Sequence, residues 1–240
     1  MNDFVSLIND DCANTHKIID YYDALITDPP YNISRKNGFK AMKNGRGGRF
    51  GMDFGEWDKN FDIIGWIKPA LENLKSGGNI VIFNDWKNLG DIAKELTKCG
   101  SIVKRCLMWK KTNPAPFNRD RLFVNSAEYA VWAVKKGKWT FNRLTDNFET
   151  GIFEYPSNSR NLHPTQKSIP LMENIIKILT NENDLIYDPF MGSGTIGIAA
   201  LNNNRRYYGV EIDEGFYNLA QSRISNNINL FFGKQLDVNI

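Results

Sequence analysis

Histidine is nearly missing from this sequence: only His16 and His163 occur. That removes most metal-hydrolase chemistry, which needs clustered imidazole ligands. The zinc deaminase signature, HxE followed by PCxxC, is absent as well, so no metal is expected. The three cysteines, Cys12, Cys99 and Cys106, are odd in number, far apart and without a CxxC pair. They argue against a disulfide framework or structural zinc and for a reducing compartment. No run approaches the ~20 apolar residues of a membrane span. The acidic opening MNDFVSLINDD lacks the basic-then-apolar order of a secretory leader. A cytoplasmic protein that does not engage a membrane is expected.

What is present is a chain of 240 residues with 42% hydrophobic content, enough for one large α/β domain, 1–240, carrying an insertion. Strands are predicted at 24–27, 79–83, 102–109, 127–134, 185–187 and 207–211. They alternate with helical stretches, which predicts a mostly parallel sheet. FDIIGWIKPALENLKSGG has apolar residues at helical spacing and predicts a helix stopped by Gly77-Gly78. DIAKELTKCG reads the same way. In SIPLMENIIKIL, Ser168 is the expected cap, Pro170 fits the first turn, and Leu171, Met172, Ile175, Ile176 and Leu179 form one face.

The net charge of +3 hides a strong segregation. Residues 35–51 carry six bases and no acid (Arg35, Lys36, Lys40, Lys43, Arg46 and Arg49), with five glycines, and read as a mobile basic loop. Residues 104–143 carry ten bases and two acids, among them Lys110, Lys111, Arg119 and Arg121. Two basic blocks on a near-neutral chain point to a polyanion that touches particular segments. The second block overlaps 112–156, rich in Asn, Pro, Arg, Trp and Phe, which reads as an insertion presenting basic and aromatic side chains.

Two predicted strands end in unusual chemistry. ALIT runs into Asp28-Pro29-Pro30-Tyr31, and the prolines cannot continue a sheet interior. The acid and the ring therefore lie at a strand end, where open α/β sheets bind ligands. LIY runs into Asp188-Pro189-Phe190, then Gly192-Ser193-Gly194-Thr195, a helix, and a strand ending on Glu211. Strand, glycine turn, helix, strand, acid is the fingerprint of an adenosine-bearing cofactor: the glycines admit close backbone approach and the acid can accept from ribose hydroxyls. NAD and S-adenosylmethionine both satisfy it. Against NAD stands the position of the motif, with 43 residues after Gly197, short for the second half of a dinucleotide fold. If the donor is a methyl group, Asp28 is suited to accept one hydrogen of an exocyclic amine and the Pro29 carbonyl the other, with Tyr31 stacking on the base.

In that order, DPPY (Asp28–Tyr31) and DPFMGSGT (Asp188–Thr195) resemble the β-class amino-methyltransferases of DNA. GEWDKNFD and WKKTNPAP resemble the MboII-like adenine subgroup. The resemblance implies a SAM-dependent methyltransferase fold: a seven-stranded, mostly parallel sheet, circularly permuted, with a small target-recognition insertion. It implies transfer from S-adenosyl-L-methionine to adenine N6 of a flipped base in double-stranded DNA. Asp28, Pro29, Pro30 and Tyr31 would be the catalytic turn. By the same resemblance Asp11 and Cys12 of NDDCANTH meet the cofactor's adenine. His163, Thr165, Gln166 and Lys167 of HPTQKS line its methionine end, although the family's HPTQKP here ends on Ser168. Asp188, Pro189, Phe190, Gly192, Ser193, Gly194, Thr195 and Glu211 complete the pocket. A homodimer and a separate cognate restriction endonuclease are the partners it suggests besides DNA. The alternatives weighed are cytosine-N4 methylation, where the family generally shows Ser in place of Asp28, an NAD-binding oxidoreductase, and a non-catalytic nucleic-acid-binding module.

Overall fold

The computed structural model describes residues 4–17, 19–33, 60–115, 120, 122–157 and 167–236. Along the chain run β1 (Val5–Asn9), α1 (Cys12–Thr15), β2 (Tyr22–Thr27), α2 (Ile67–Leu71), β3 (Leu74–Asn84), α3 (Leu89–Lys98), β4 (Ser101–Lys111) and β5 (Ala127–Lys135). Then come β6 (Ile152–Tyr155), α4 (Ile169–Leu179), β7 (Leu185–Asp188), α5 (Thr195–Leu201), β8 (Arg206–Glu211) and α6 (Glu214–Leu236). The strands form one sheet in the order β1-β8-β7-β2-β3-β5-β4-β6. The first five are parallel, β5 runs antiparallel to both neighbours, and β6 adds parallel to β4 at the edge. The described residues thus form eight strands where the resemblance implies seven. The stretch 112–156, expected as an insertion, supplies β5 and β6 to the sheet.

The central strands β2, β3 and β7 are buried on both faces along most of their length because helices cover both. Past the irregularity between Tyr22 and Ala24 the side chains of β2 and β3 alternate: Ala24, Ile26, Val81 and Phe83 enter one core, while Leu25, Ile80 and Ile82 enter the other, where Tyr22 also lies. The first core is closed by α4 and α5, whose buried residues include Leu171, Met172, Ile175 and Ile196. The second is closed by α2 and α3 through Ile67, Leu71, Ile92 and Leu96.

Two local expectations change. The helix foreseen up to Gly77-Gly78 is only Ile67–Leu71, and the glycines lie inside β3. Tyr22 pairs with Leu74 but Ala24 with Asn79, so β3 bulges there. Gly77 takes φ 79°, and a Cβ on it would fall 2.0 Å from the Lys138 carbonyl oxygen. The glycines serve a close backbone crossing, not a helix stop. Ser168 does stand at the N-cap of α4, but its hydroxyl makes no capping bond. Pro170 fills the second helical position, which removes one of the amides a cap accepts from.

The chain leaves β2 through α2 on one face of the sheet and leaves β7 through α5 on the other. The carboxyl ends of β2 and β7 therefore flank a crevice at the topological switch point, where such sheets bind ligands.

Candidate active site

The two motifs noticed in the sequence meet at this crevice. Thr27, the last residue of β2, donates from its hydroxyl to Asp188 Oδ1 at 2.7 Å. The two strand ends are thereby tied directly to each other. Above the tie opens a cleft of about 320 Å³, lined by Asp28, Pro29, Pro30 and Tyr31 from one motif and by Pro189, Phe190, Gly192, Ser193 and Thr195 from the other. Asp10, Asp11, Cys12, Lys167 and Glu211 also line it.

Asp28 is held on both carboxylate oxygens. The Tyr31 hydroxyl donates to Oδ1 at 2.5 Å, and Lys167 Nζ donates to Oδ2 at 2.5 Å. Burial, with Asp28 and Glu128 adding to it, pushes the Tyr31 hydroxyl well above its ordinary range, so it stays a donor. A carboxylate has roughly four lone-pair sites, and two remain for a ligand. The backbone of the turn is fixed as well: Asn88 Nδ2 donates to the Tyr31 carbonyl at 3.0 Å and to Asn84 Oδ1 at 2.7 Å. Just beyond, Asn32 exchanges two hydrogen bonds with the backbone of Phe61, 2.7 and 2.9 Å. That bracket brings Phe61 edge-on against Phe190, with ring centroids 5.4 Å apart, and Trp66 packs on the same ring at 4.9 Å.

At the glycine turn, Gly192 takes φ 53° and a Cβ there would meet nothing within 4 Å. The space above it is open for a ligand to approach the backbone. Gly197 has a different duty: a Cβ would fall 2.7 Å from the Tyr207 ring, so it lets α5 pack on β8. Glu211 accepts from the Gly192 amide at 2.8 Å and from the Asp213 amide at 2.9 Å. It therefore both anchors the turn and faces the cleft. Burial raises its carboxyl above the ordinary range. Arg223, which the sequence gave no reason to single out, donates to the Ser193 carbonyl from α6.

Several expected residues make contacts that the sequence did not announce. Asp188 is fully buried. Its oxygens accept from Thr27, from the Phe190 amide at 3.2 Å and from the Tyr207 hydroxyl at 2.9 Å. It is the floor of the site and not part of its wall, and burial pushes its carboxyl up to about 7. Asp11 caps α1 by accepting from the Ala13 amide at 2.8 Å. Cys12 has its thiol pushed up to about 12, by burial and then by Asp11, so it offers an unionised, weakly polar surface. Lys167 lines the cleft, but its ammonium is spent on Asp28, on the Tyr31 hydroxyl oxygen at 3.1 Å and on Glu128 at 2.9 Å. Lys111 pairs with Glu128 at 2.6 Å, and the exposed Lys110 with Glu154 at 3.0 Å. His163, Thr165, Gln166, Arg35, Lys36, Lys40, Lys43, Arg46, Arg49, Arg119 and Arg121 lie outside the described residues.

Sequence reasoning missed Glu128, although it carries a signal: it is one of two acids among ten bases, set inside the apolar strand AEYAVWAV. Among the described residues no group of three or more His, Cys, Asp or Glu could hold a metal ion, and no helix is long and apolar enough to cross a membrane.

The site residues fit a nucleoside-bearing ligand on their own chemistry. An open backbone turn, a half-buried acid at a strand end and an aromatic wall lie side by side. Comparison with known proteins agrees. The sequence profile described as DNA methylase matches residues 22–222. The chain is 32% identical over 223 residues to the Type II methyltransferase M2.DpnII of Streptococcus pneumoniae, covering 84% of this chain and 82% of that protein. It is 27% identical to the Type II methyltransferase M.HinfI of Haemophilus influenzae over 252 residues, covering 93% and 69%. The crystal structure of the M1.HpyAVI–SAM complex superimposes with TM-score 0.74 at 34% identity, covering 92% of this chain and 99% of that one. The cytosine-N4-specific PvuII DNA methyltransferase shares the fold, with TM-score 0.69 at 16% identity over 94% and 91%.

Proposed function

Because the chain belongs to the DNA methylase family, we propose that it transfers a methyl group from S-adenosylmethionine to N6 of adenine in double-stranded DNA. The cofactor and the reaction class follow from the family and from the relatives above. An NAD-dependent oxidoreductase is thereby set aside. The choice of adenine, the β-class and MboII-like assignment, and the residue roles below are our reading.

The observation that carries it is that Asp28 and the Gly192 turn line one cleft from opposite sides of the switch point. When bound, S-adenosylmethionine would supply an electrophilic methyl carbon for the base nitrogen's lone pair, with its sulfur as the leaving group that keeps the bonding electron pair. The protein must then orient a poor nucleophile. The N6 lone pair is delocalised into the ring, and accepting both amine hydrogens draws it toward tetrahedral geometry. Asp28 takes one hydrogen through a free lone pair and the Pro29 carbonyl takes the other, with two prolines keeping that carbonyl still. Tyr31 stacks on the base. The proton shed by the methylated amine leaves to water. Glu211 accepts from the cofactor ribose, and Gly192 leaves room for it. Asp11 and Cys12 border the cofactor's adenine. Because N6 is otherwise in a Watson–Crick pair, the base leaves the duplex to reach the turn. Arg35, Lys36, Lys40, Lys43, Arg46 and Arg49 serve phosphates, and Arg119 and Arg121 serve target choice. Lys110, in an exposed pair of the kind worth about 0–1 kcal/mol, is free to exchange Glu154 for phosphate. Lys111 is committed to Glu128. A homodimer and a cognate endonuclease as a separate protein complete the proposal.

Transfer of labelled methyl groups to DNA, followed by digestion to nucleosides, tests the reading. N6-methyladenine is expected. N4-methylcytosine would replace adenine by the alternative base, and no labelled nucleoside would leave a nucleic-acid-binding module.

A further inference from the structure

Behind the proposed acceptor lies a chain of alternating charges that no motif in the sequence announces. Lys111 from the end of β4, Glu128 from β5, Lys167 from just before α4 and Asp28 from the end of β2 are linked by contacts of 2.6, 2.9 and 2.5 Å. Their side chains are 17%, 17%, 4% and 20% exposed. Only Asp28 and Lys167 line the cleft. Glu128 does not reach it, so it acts on anything bound there only through its neighbours.

Resting on the adenine-methylation reading, we propose that Glu128 is a positioning residue for methyl transfer: through Lys167 it fixes where the Asp28 carboxylate points and how strongly it accepts. An ammonium has three donors. That of Lys167 donates to oxygens of Asp28 and Tyr31, and Glu128 Oε2 stands 2.9 Å away as an ion-pair partner outside hydrogen-bond alignment. Glu128 thus shares a charge that would otherwise fall wholly on Asp28 and draw electron density away from its remaining lone pairs. Lys111 balances Glu128 in turn, so four buried or half-buried charges sum to zero. Burial alone would lower the Lys167 ammonium and raise the Glu128 carboxyl. Their opposite charges outweigh it and both shift the other way, toward the ionised form. A network of this kind costs desolvation without adding net stability, and here it surrounds a single functional oxygen pair. The arrangement also gives Lys167 a role other than contact with the methionine end of the cofactor.

The test is a double-mutant cycle on the full-length protein, read as single-turnover methyl transfer to DNA from tritiated S-adenosylmethionine. Glu128→Gln keeps the volume and removes the charge. It should slow transfer about 10- to 100-fold, the range that removal of an outer-shell hydrogen-bond partner has at metal sites, taken here by analogy. S-adenosylmethionine and DNA affinities should stay unchanged. In an Asp28→Asn background the same substitution should change nothing further, because its only route to the substrate is gone. Lys167→Met should likewise erase the Glu128 effect while retaining cofactor affinity. Equal slowing by Glu128→Gln with and without Asp28, or loss of cofactor affinity, overturns the inference while leaving the function standing. A wild-type protein that methylates no adenine overturns both. A melting curve of each variant, together with its retained cofactor binding, separates these outcomes from simple unfolding.

Discussion

The Tyr31 hydroxyl donates to Asp28 Oδ1 at 2.5 Å, so the ring that borders the cleft and the acid beside it move as one unit. Tyr31→Phe keeps the ring and removes the bond. A hydrogen bond to a charged group is worth about 1.5–3 kcal/mol, so single-turnover transfer should fall roughly 10- to 100-fold. Cofactor affinity should hold. A variant with wild-type rate would reduce Tyr31 to a stacking surface.

Asp28→Ala should fold and bind S-adenosylmethionine yet lose most methyl transfer. The lost acceptor is worth about 2–4 kcal/mol, or very roughly 30- to 1,000-fold in rate. A 2-aminopurine at the target position should still brighten on binding, because flipping precedes the step that Asp28 serves. Near wild-type production of N6-methyladenine by this variant would sink the assignment.

Glu211 holds the Gly192 amide at 2.8 Å and faces the cleft. Glu211→Ala removes both the turn's anchor and the ribose acceptor. Calorimetry should show cofactor affinity weakened by about 1.5–3 kcal/mol, with DNA affinity unchanged. Glu211→Gln, which keeps one acceptor oxygen, should lose less. Unaltered cofactor binding in a folded Glu211→Ala protein would contradict the role.

Asp188 predicts a pH dependence of stability. Its folded pKa is about 7 against the ordinary 3.8, so the native state binds its proton more tightly than the unfolded chain does. The stabilising contribution is full below about pH 4 and is lost as pH rises through about 7, at a slope of at most roughly 1.4 kcal/mol per pH unit. Asp188→Asn removes this slope. Denaturant titrations at pH 5 and pH 8 should show the variant gaining on the wild type as pH rises. A constant difference between the two pH values would rule it out.

The basic stretch from Arg35 to Arg49 should supply phosphate contacts without base readout. Neutralising two of its residues should flatten the salt dependence of DNA binding by about two counterions. Changes at Arg119 or Arg121 should instead alter which sequences are methylated. A switch of site preference from the Arg35–Arg49 variants at constant salt slope would reverse the two roles.

The sequence by itself determined the chemistry at the two strand ends. DPPY and DPFMGSGT are local signals: prolines forbid sheet, glycines permit a tight turn, and apolar runs before them predict strands wherever the partners lie. The α4 face and the α3 helix were legible for the same reason, because helical periodicity is written in consecutive residues. Gly77-Gly78 misled, since a glycine pair stops a helix and relieves a backbone crossing equally well, and the crossing with Lys138 is 61 residues away in the chain. Only the tertiary structure decided that Thr27 meets Asp188, which makes the second acid a buried tie and not a wall of the pocket. Only it turned Lys167 toward Asp28 and set Glu128 behind it. These contacts join residues 39 to 161 positions apart. Their energy depends on burial and on charge partners brought together by sheet order, a property that no window of sequence contains.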